Sequence, residues 1–192
     1  VALGKLNGAE QTSSPGRILG LDPGLHVTGY ALLDIPQRAG QVGVPEARGA
    51  DAHLPGPALV EAGVIRSAGR TLALRLQSLY EGLSGVLDQF QPGAVVIEEL
   101  FAHYAHPRTA VLMAHARGVL LLAAAHRRIP CLSYTATQIK KVITGSGRAS
   151  KNAIQLTMQR ELHLSVVPEP PDVADALAAA LCHYHLMLRR VS

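Results

Sequence analysis

The sequence predicts an α/β fold, a five-stranded mixed sheet flanked by helices and built around one core. Three features predict it. The early part of the chain carries three short apolar runs with turn residues between them. The remainder alternates β-branched runs with segments whose apolar residues recur every three or four positions. At 192 residues the chain has the length of one ordinary domain. Strands joined by turns pair antiparallel, whereas strands separated by a helix run parallel, so the sheet is expected to be antiparallel at one edge and parallel elsewhere.

Each element has its own signal. Residues 1–16, rich in Gly, Ser and Ala and without periodicity, read as a flexible leader ahead of a single domain at 17–190. "RILGLD" (17–22) and "VTGYALLD" (27–34) are strands separated by Pro23 and Gly24, and they form a hairpin. A stretch at about 35–57 holds Pro36, Pro45, Pro55 and Pro57 among several glycines, too broken for an element, and reads as an insertion in a hairpin loop. "ALVEAGVIRS" is then the third strand. From Thr71, apolar residues at Leu72, Leu76, Leu79, Leu83, Val86, Leu87 and Phe90 follow helical spacing until "QPG" stops them. "AVVIEEL" is a buried parallel strand, 108–127 an Ala/Leu-rich helix, and "CLSY" a short strand. "TATQIKKVIT" is a helix capped by Thr135 or Thr137, followed by the loop "GSGRAS" and the helix "KNAIQLTMQREL". The stiff connector "VPEPP" delivers a last helix, "DVADALAAALCHYHLMLRR", whose basic end suits the helix dipole.

Composition narrows the function classes. The chain is 48% hydrophobic and 17% charged, with no uninterrupted apolar run of the ~18 residues that a membrane span needs. It is therefore expected to be soluble and free of membrane. Two cysteines, Cys131 and Cys182, and no signal-like start give no disulfide framework, and the expected location is the cytoplasm. A net charge of +4 favours polyanionic partners, weakly.

The informative residues are acids placed where the chain is most apolar. Asp22 ends the first strand, Glu98 and Glu99 end the fourth, and Asp172 and Asp175 begin the last helix. Strand ends are where open α/β sheets place their sites. Asp172 and Asp175, three apart on a helix, lie roughly 60° apart around the axis and share a face. Carboxylates crowded together repel, and a hard divalent cation such as Mg2+ relieves that repulsion. Plainer readings exist for each: Asp22 before Pro-Gly as a turn residue, Asp172 as a helix N-cap, Asp175 as a dipole partner, and the two glutamates as solvated strand ends.

The ordered set "ILGLDPGLHVTGYALL", "VVIEELF", "ARGVLLLAA", "QIKKVITGSGRASK" and "DVADALAAALCHYH" resembles the successive motifs of the RuvC-type Holliday-junction resolvases, over about residues 17–190. The resemblance implies a ribonuclease H-like fold, a homodimer, and paired cleavage of a four-way DNA junction in recombination and repair, with a branch-migration helicase as partner. It implies four metal-holding acids: Asp22, Glu98, Asp172 and Asp175. Glu98 is chosen over Glu99 because Phe101 stands three residues beyond it in the I-E-x-x-F frame. Two Mg2+ ions per subunit are implied, Mn2+ being the other candidate. Lys140 and Lys151 match basic residues beside the reaction centre. Phe101 matches an aromatic that approaches junction bases, and Arg108, Lys141 and Arg148 are looser phosphate contacts. For Phe101 a core position, and for any one lysine a solvated surface, is the alternative. The leader, the insertion and Glu99 depart from the family pattern.

Other signals carry less. "GSGRASK" follows a helix and lacks the G-K-[ST] ending of a P-loop. His103 with His106, and Cys182 with His183 and His185, lack the second pair that a zinc site needs. Sugar kinases and actin-like ATPases share a D-x-G hairpin but need roughly twice this length. Two competing functions remain at this stage: a non-catalytic module that binds DNA structures, and a ribonuclease H-like nuclease acting on RNA or hybrids.

Overall fold

A computed structural model describes residues 16–36, 56–100 and 107–191. All but the last residue of the expected leader, most of the expected insertion, and Phe101, His103 and His106 lie outside the described residues. The strands are β1 (Arg17–Asp22), β2 (Val27–Asp34), β3 (Ala58–Arg66), β4 (Ala94–Glu98) and β5 (Cys131–Tyr134). The helices are α1 (Leu72–Phe90), α2 (Pro107–His126), α3 (Ala136–Thr144), α4 (Lys151–Glu161) and α5 (Pro171–Val191).

The five strands form one sheet in the order β3-β2-β1-β4-β5. β1 pairs antiparallel with β2, and β2 with β3, the second register slipping between Leu32 and Leu33. β1 and β4, and β4 and β5, pair parallel. This is the predicted mixed sheet.

Both faces of the sheet are covered, which is why its central strands read as unbroken apolar runs. Leu19, Leu21, Val95 and Ile97 point into a cluster with Leu79, Leu83 and Leu87 of α1 and Ala116 and Leu120 of α2. Ile18, Ala31, Leu33 and Val96 point the other way, onto Leu177 and Leu181 of α5 with Ile139 of α3 and Met158 of α4. The side-chain alternation of a strand thus divides one sheet between two helical layers.

Local chemistry sets the helix ends. Thr71 caps α1, its side chain accepting from Leu74 N at 3.3 Å. Thr135 and Gln138 form a reciprocal capping box at the start of α3, which decides between the two threonines. Ser150 caps α4. The fourth strand stops at Glu98, earlier than the apolar pattern suggested, although Glu99 N still donates to Tyr134 O at 2.9 Å.

α2 is the exception to ordinary amphipathicity. Residues Arg108–His126 are long and apolar enough, by length and composition, to cross a membrane, and only 22% of that stretch is buried in the fold. His115 and Arg117 interrupt this stretch, so it holds no uninterrupted apolar run. One stripe, Ala116, Leu120, Ala123 and Ala124, packs in the core, while Val111 and Leu122 are 55% and 49% exposed.

Candidate active site

The parallel strands β1 and β4 end side by side. Leu21 pairs with Ile97, so the residues that follow them, Asp22 and Glu98, emerge as neighbours at one edge of the sheet. Leu21 and Ile97 face the α1–α2 layer, so alternation turns Asp22 and Glu98 toward the α5 face.

Two glycines admit α5 to that face. A Cβ on Gly20 would strike the carbonyl oxygen of Ala176 and stand 2.9 Å from the Ala180 nitrogen. A Cβ on Gly29 would strike the carbonyl of Asp172. Gly29 is the register partner of Asp22, so this contact delivers Asp172 to the side of Asp22. Asp175 follows three residues later on the same side of the helix.

The crowding shows in the electrostatics. Burial, then Asp175, Glu98 and Asp172 in that order, push the Asp22 carboxyl from 3.8 up to about 7, and Lys151 opposes them. Burial and Asp175 push Glu98 up as well, opposed by Lys140 and Lys151. Asp22 is thus coupled to each of the other three predicted acids, and Glu98 to Asp175 as well. Among the described residues, no three Asp, Glu, His or Cys side chains come together closely enough to hold a metal ion. Asp175 instead accepts from Lys151 Nζ at 3.0 Å, an ion pair open to water on both sides.

The plainer readings of these acids meet specific obstacles. The turn after β1 is closed by Thr28, whose Oγ1 donates to Gly24 O at 2.9 Å. Among the described residues nothing donates to the Asp22 carboxylate. Asp172 is not the N-cap of α5, because Pro171 opens the helix and the Pro170 carbonyl accepts from Val173 and Ala174 at 2.9 and 3.3 Å. Glu99 is exposed.

The basic residues divide into two groups. Lys140 and Lys151 stand near enough to the acids to act on their charge. Lys141 and Arg148 are exposed on α3 and the loop after it, and Arg108 is exposed in the first turn of α2. Phe101 lies outside the described residues.

Sequence reasoning passed over several supports. Gly20 and Gly29 are one set, and glycine inside an apolar strand is their signal. Arg117 is another: from α2 it donates to the Glu98 carbonyl at 3.3 Å and to Ser133 Oγ at 2.7 Å, tying the ends of β4 and β5 together. Tyr134, the register partner of Glu98, shares a 2.7 Å hydrogen bond with Nδ1 of buried His183 on α5. The Cys182-His183-His185 cluster has structural employment instead of zinc. Cys182 is buried with its thiol pushed up to about 11 by that burial, and His185 meets Glu161 at 2.8 Å. An open groove of about 670 Å³ between β3 and the α4–α5 link is lined by Leu59, Ala62, Val64 and Val166, and none of the four acids lines it.

The sequence profile of the family described as crossover junction endodeoxyribonuclease RuvC matches residues 18–183, a span that contains all four acids. The chain belongs to this family. It is 46% identical over 179 residues to the crossover junction endodeoxyribonuclease RuvC of Rhodopirellula baltica, covering 91% of each chain. It is 41% identical to that of Hydrogenovibrio crunogenus, covering 87% of this chain and 86% of the relative. Its backbone resembles Thermus thermophilus RuvC bound to Holliday junction substrate, with a TM-score of 0.77 at 27% identity over 91% of this chain and 96% of that one. The yeast mitochondrial Holliday junction resolvase Ydc2, at 15% identity and a TM-score of 0.56, shares the fold. The fold is thus ribonuclease H-like, as expected. As a RuvC-family member, the chain is a crossover junction endodeoxyribonuclease, a hydrolase of DNA phosphodiester bonds that serves recombination and repair.

Proposed function

We propose that the chain resolves four-way DNA junctions by divalent-metal-assisted hydrolysis centred on Asp22, Glu98, Asp172 and Asp175. One arrangement carries the assignment of the centre: Asp22 is partly buried with Asp175, Glu98 and Asp172 around it, and its burial first, then those three acids, push its carboxyl up to about 7. Burying uncompensated charge in this way is costly, and an all-oxygen donor set suits a hard cation, Mg2+ or Mn2+. Bound ions would neutralise the cluster, acidify a water and offset charge on the leaving oxygen. Asp22, coupled to all three other acids, would hold such a cation together with them.

The remaining roles follow from position. Lys151 and Lys140 oppose the negative potential from the α3–α4 side, where they would meet the non-bridging oxygens of the scissile phosphate. The half-exposed Lys151–Asp175 pair adds little to stability, so Lys151 is free to exchange partners when substrate arrives. A junction has near two-fold symmetry, and two equivalent cuts require two sites related by that symmetry. The exposed apolar side of α2, with Val111 and Leu122, offers the face on which a homodimer would close. A protein that cuts DNA junctions would work where the DNA is, in the cytoplasm.

The test is cleavage of a synthetic four-way junction against linear duplex, with Mg2+ and with chelator. Junction-selective, Mg2+-dependent cuts leaving 5′ phosphates are expected. Asp22→Asn is expected to bind the junction and leave it uncut, and full cleavage by that variant overturns the assignment.

A further inference from the structure

A second group of cations flanks the acids on the side of the sheet away from Lys140 and Lys151. We propose that Arg66 and Arg70 form a second phosphate-binding flank, holding the DNA strand on the β3 side of the cleavage point. The inference deepens the junction-cutting reading and rests on it.

Register fixes where these residues stand. Asp22 pairs with Gly29, Gly29 with Val64, and Val27 with Arg66. Arg66 is therefore two strands across from Asp22 and two residues beyond it toward the catalytic edge. With strands ~4.8 Å apart and ~3.4 Å of rise per residue, the two α-carbons lie roughly 12 Å apart. Ile65 packs into the α1–α2 layer, so alternation turns Arg66 to the face that Asp22 also occupies. Arg66 is exposed, and so is Arg70, four residues on in the link to α1.

Among the described residues neither arginine has an ion-pair partner: the ion pairs there are Arg17–Asp34, Arg127–Asp88, Lys151–Asp175 and His185–Glu161. The first turn of α1, which follows directly, holds no acid.

The backbone that carries them is fixed to the turn that follows Asp22. Ser67 N donates to His26 O at 3.1 Å, and Ser67 Oγ donates to Leu25 O at 2.5 Å. Arg75 reaches from α1 to His26 Nδ1 at 3.2 Å and to Ser67 O at 3.3 Å, bracing the two loops. Ala68 N donates to Ser78 Oγ at 3.1 Å. The two loops therefore present Arg66 and Arg70 in a set relation to the acids, which lowers the cost of ordering them on a ligand.

The dimension matches a nucleic-acid strand. Successive charges on one strand advance about 3.4 Å along the axis, so roughly 12 Å corresponds to three or four nucleotides from the cleavage point. With Lys140 and Lys151 on the opposite side, a strand crossing the acids meets cations both before and after them.

The experiment measures equilibrium binding of a synthetic four-way junction to full-length Asp22→Asn protein in chelator, over a range of salt. Each lost phosphate contact reduces the slope of log affinity against log salt by about 0.9. Adding Arg66→Gln and Arg70→Gln is expected to lower that slope by roughly 2 and to weaken binding several-fold at intermediate salt. Arg66→Lys with Arg70→Lys is expected to keep the slope, because phosphate accepts a point charge. Arg128→Gln, at the opposite end of the sheet, is expected to change nothing. A slope in the double Gln variant equal to its parent's, with an unchanged melting profile, overturns the proposal. Absence of junction binding by the Asp22→Asn parent overturns the junction reading itself, and this inference with it.

Discussion

The α-carbon of Gly29 lies against the carbonyl of Asp172, with no room for a side chain between them. That contact joins the middle of β2 to the first turn of α5. It sets how close Asp172 comes to Asp22, the strand partner of Gly29. Backbone, rather than a side chain that can rotate aside, is what a new methyl group would meet. Gly29→Ala is therefore expected to push α5 off the sheet, costing about 1–3 kcal/mol and most of the cleavage rate. Gly85→Ala, on α1 where a Cβ meets nothing within 4 Å, is expected to stabilise by roughly 0.5–1 kcal/mol and leave cleavage unchanged. Denaturant midpoints and single-turnover cleavage of both variants check the pair.

Metal-free stability is expected to fall as pH rises. The Asp22 carboxyl has a folded-state pKa of about 7 against 3.8 for an unperturbed side chain, raised mainly by burial and by Asp175. Between those values the folded protein holds a proton that the unfolded chain has released. The stabilisation is complete below 3.8, declines at up to roughly 1.4 kcal/mol per pH unit, and is gone above about 7. Glu98, also raised, adds to the same trend. In chelator the parent is expected to be less stable at pH 8 than at pH 5. Asp22→Asn removes most of that slope, and Mg2+ restores the parent at pH 8 by binding the ionised cluster. Denaturant titrations at the two pH values, with and without Mg2+, measure all three effects.

Adjacent glutamates allow a sharp comparison. Glu98 is partly buried and coupled to Asp175, whereas Glu99 is exposed and engages the sheet through its backbone nitrogen. Glu98→Gln is expected to abolish Mg2+-dependent cleavage while retaining junction binding in chelator. Glu99→Gln is expected to cleave within about twofold of the parent, since its side chain has little to lose at an exposed position. Comparable losses in the two variants would mean that strand alternation had selected the wrong carboxylate.

Much of this arrangement was legible in the chain because local and global signals agree. "AVVIE" reads as a buried parallel strand, and it lies between β1 and β5. The spacing from Leu72 to Phe90 reads as a helix, and α1 spans it. The cap of α3 stayed open between Thr135 and Thr137 in the sequence, and the reciprocal bonds of Thr135 with Gln138 settle it in the structure. Asp172 after two prolines read as a plausible N-cap, whereas α5 already opens at Pro171, the first helical position that proline favours, and Asp172 stands inside it. The missing parts depend on partners distant in sequence. Nothing local to "ILGLD" or "VTGYA" says that α5, some 150 residues away, rests on those glycines. Arg117 looked like an interruption in an apolar helix, and its carbonyl and hydroxyl partners at the ends of β4 and β5 become visible only in three dimensions. The apolar outer side of α2 likewise defeated a one-dimensional reading, because a helix that is apolar all round gives no amphipathic signal to orient it.

Lys151 separates electrostatic tuning from direct contact with substrate. Its ammonium holds Asp175 at 3.0 Å and lowers the proton affinity of both Asp22 and Glu98. Replacing it with Met keeps most of the length of the side chain and removes the charge. Both carboxyls then move further up, and a higher pH is needed to ionise the cluster for cation binding. Lys151→Met is accordingly expected to shift the rising limb of the single-turnover pH–rate profile to higher pH, and to shift the pH dependence of Mn2+ binding in the absence of DNA the same way. If Lys151 acted solely by touching the scissile phosphate, the cleavage rate would drop by a constant factor at every pH, and DNA-free Mn2+ binding would keep the parent's pH dependence. A displacement of both curves in the same direction identifies the lysine as the group that keeps the acids ionised, and a uniform drop with unshifted metal binding rejects that role.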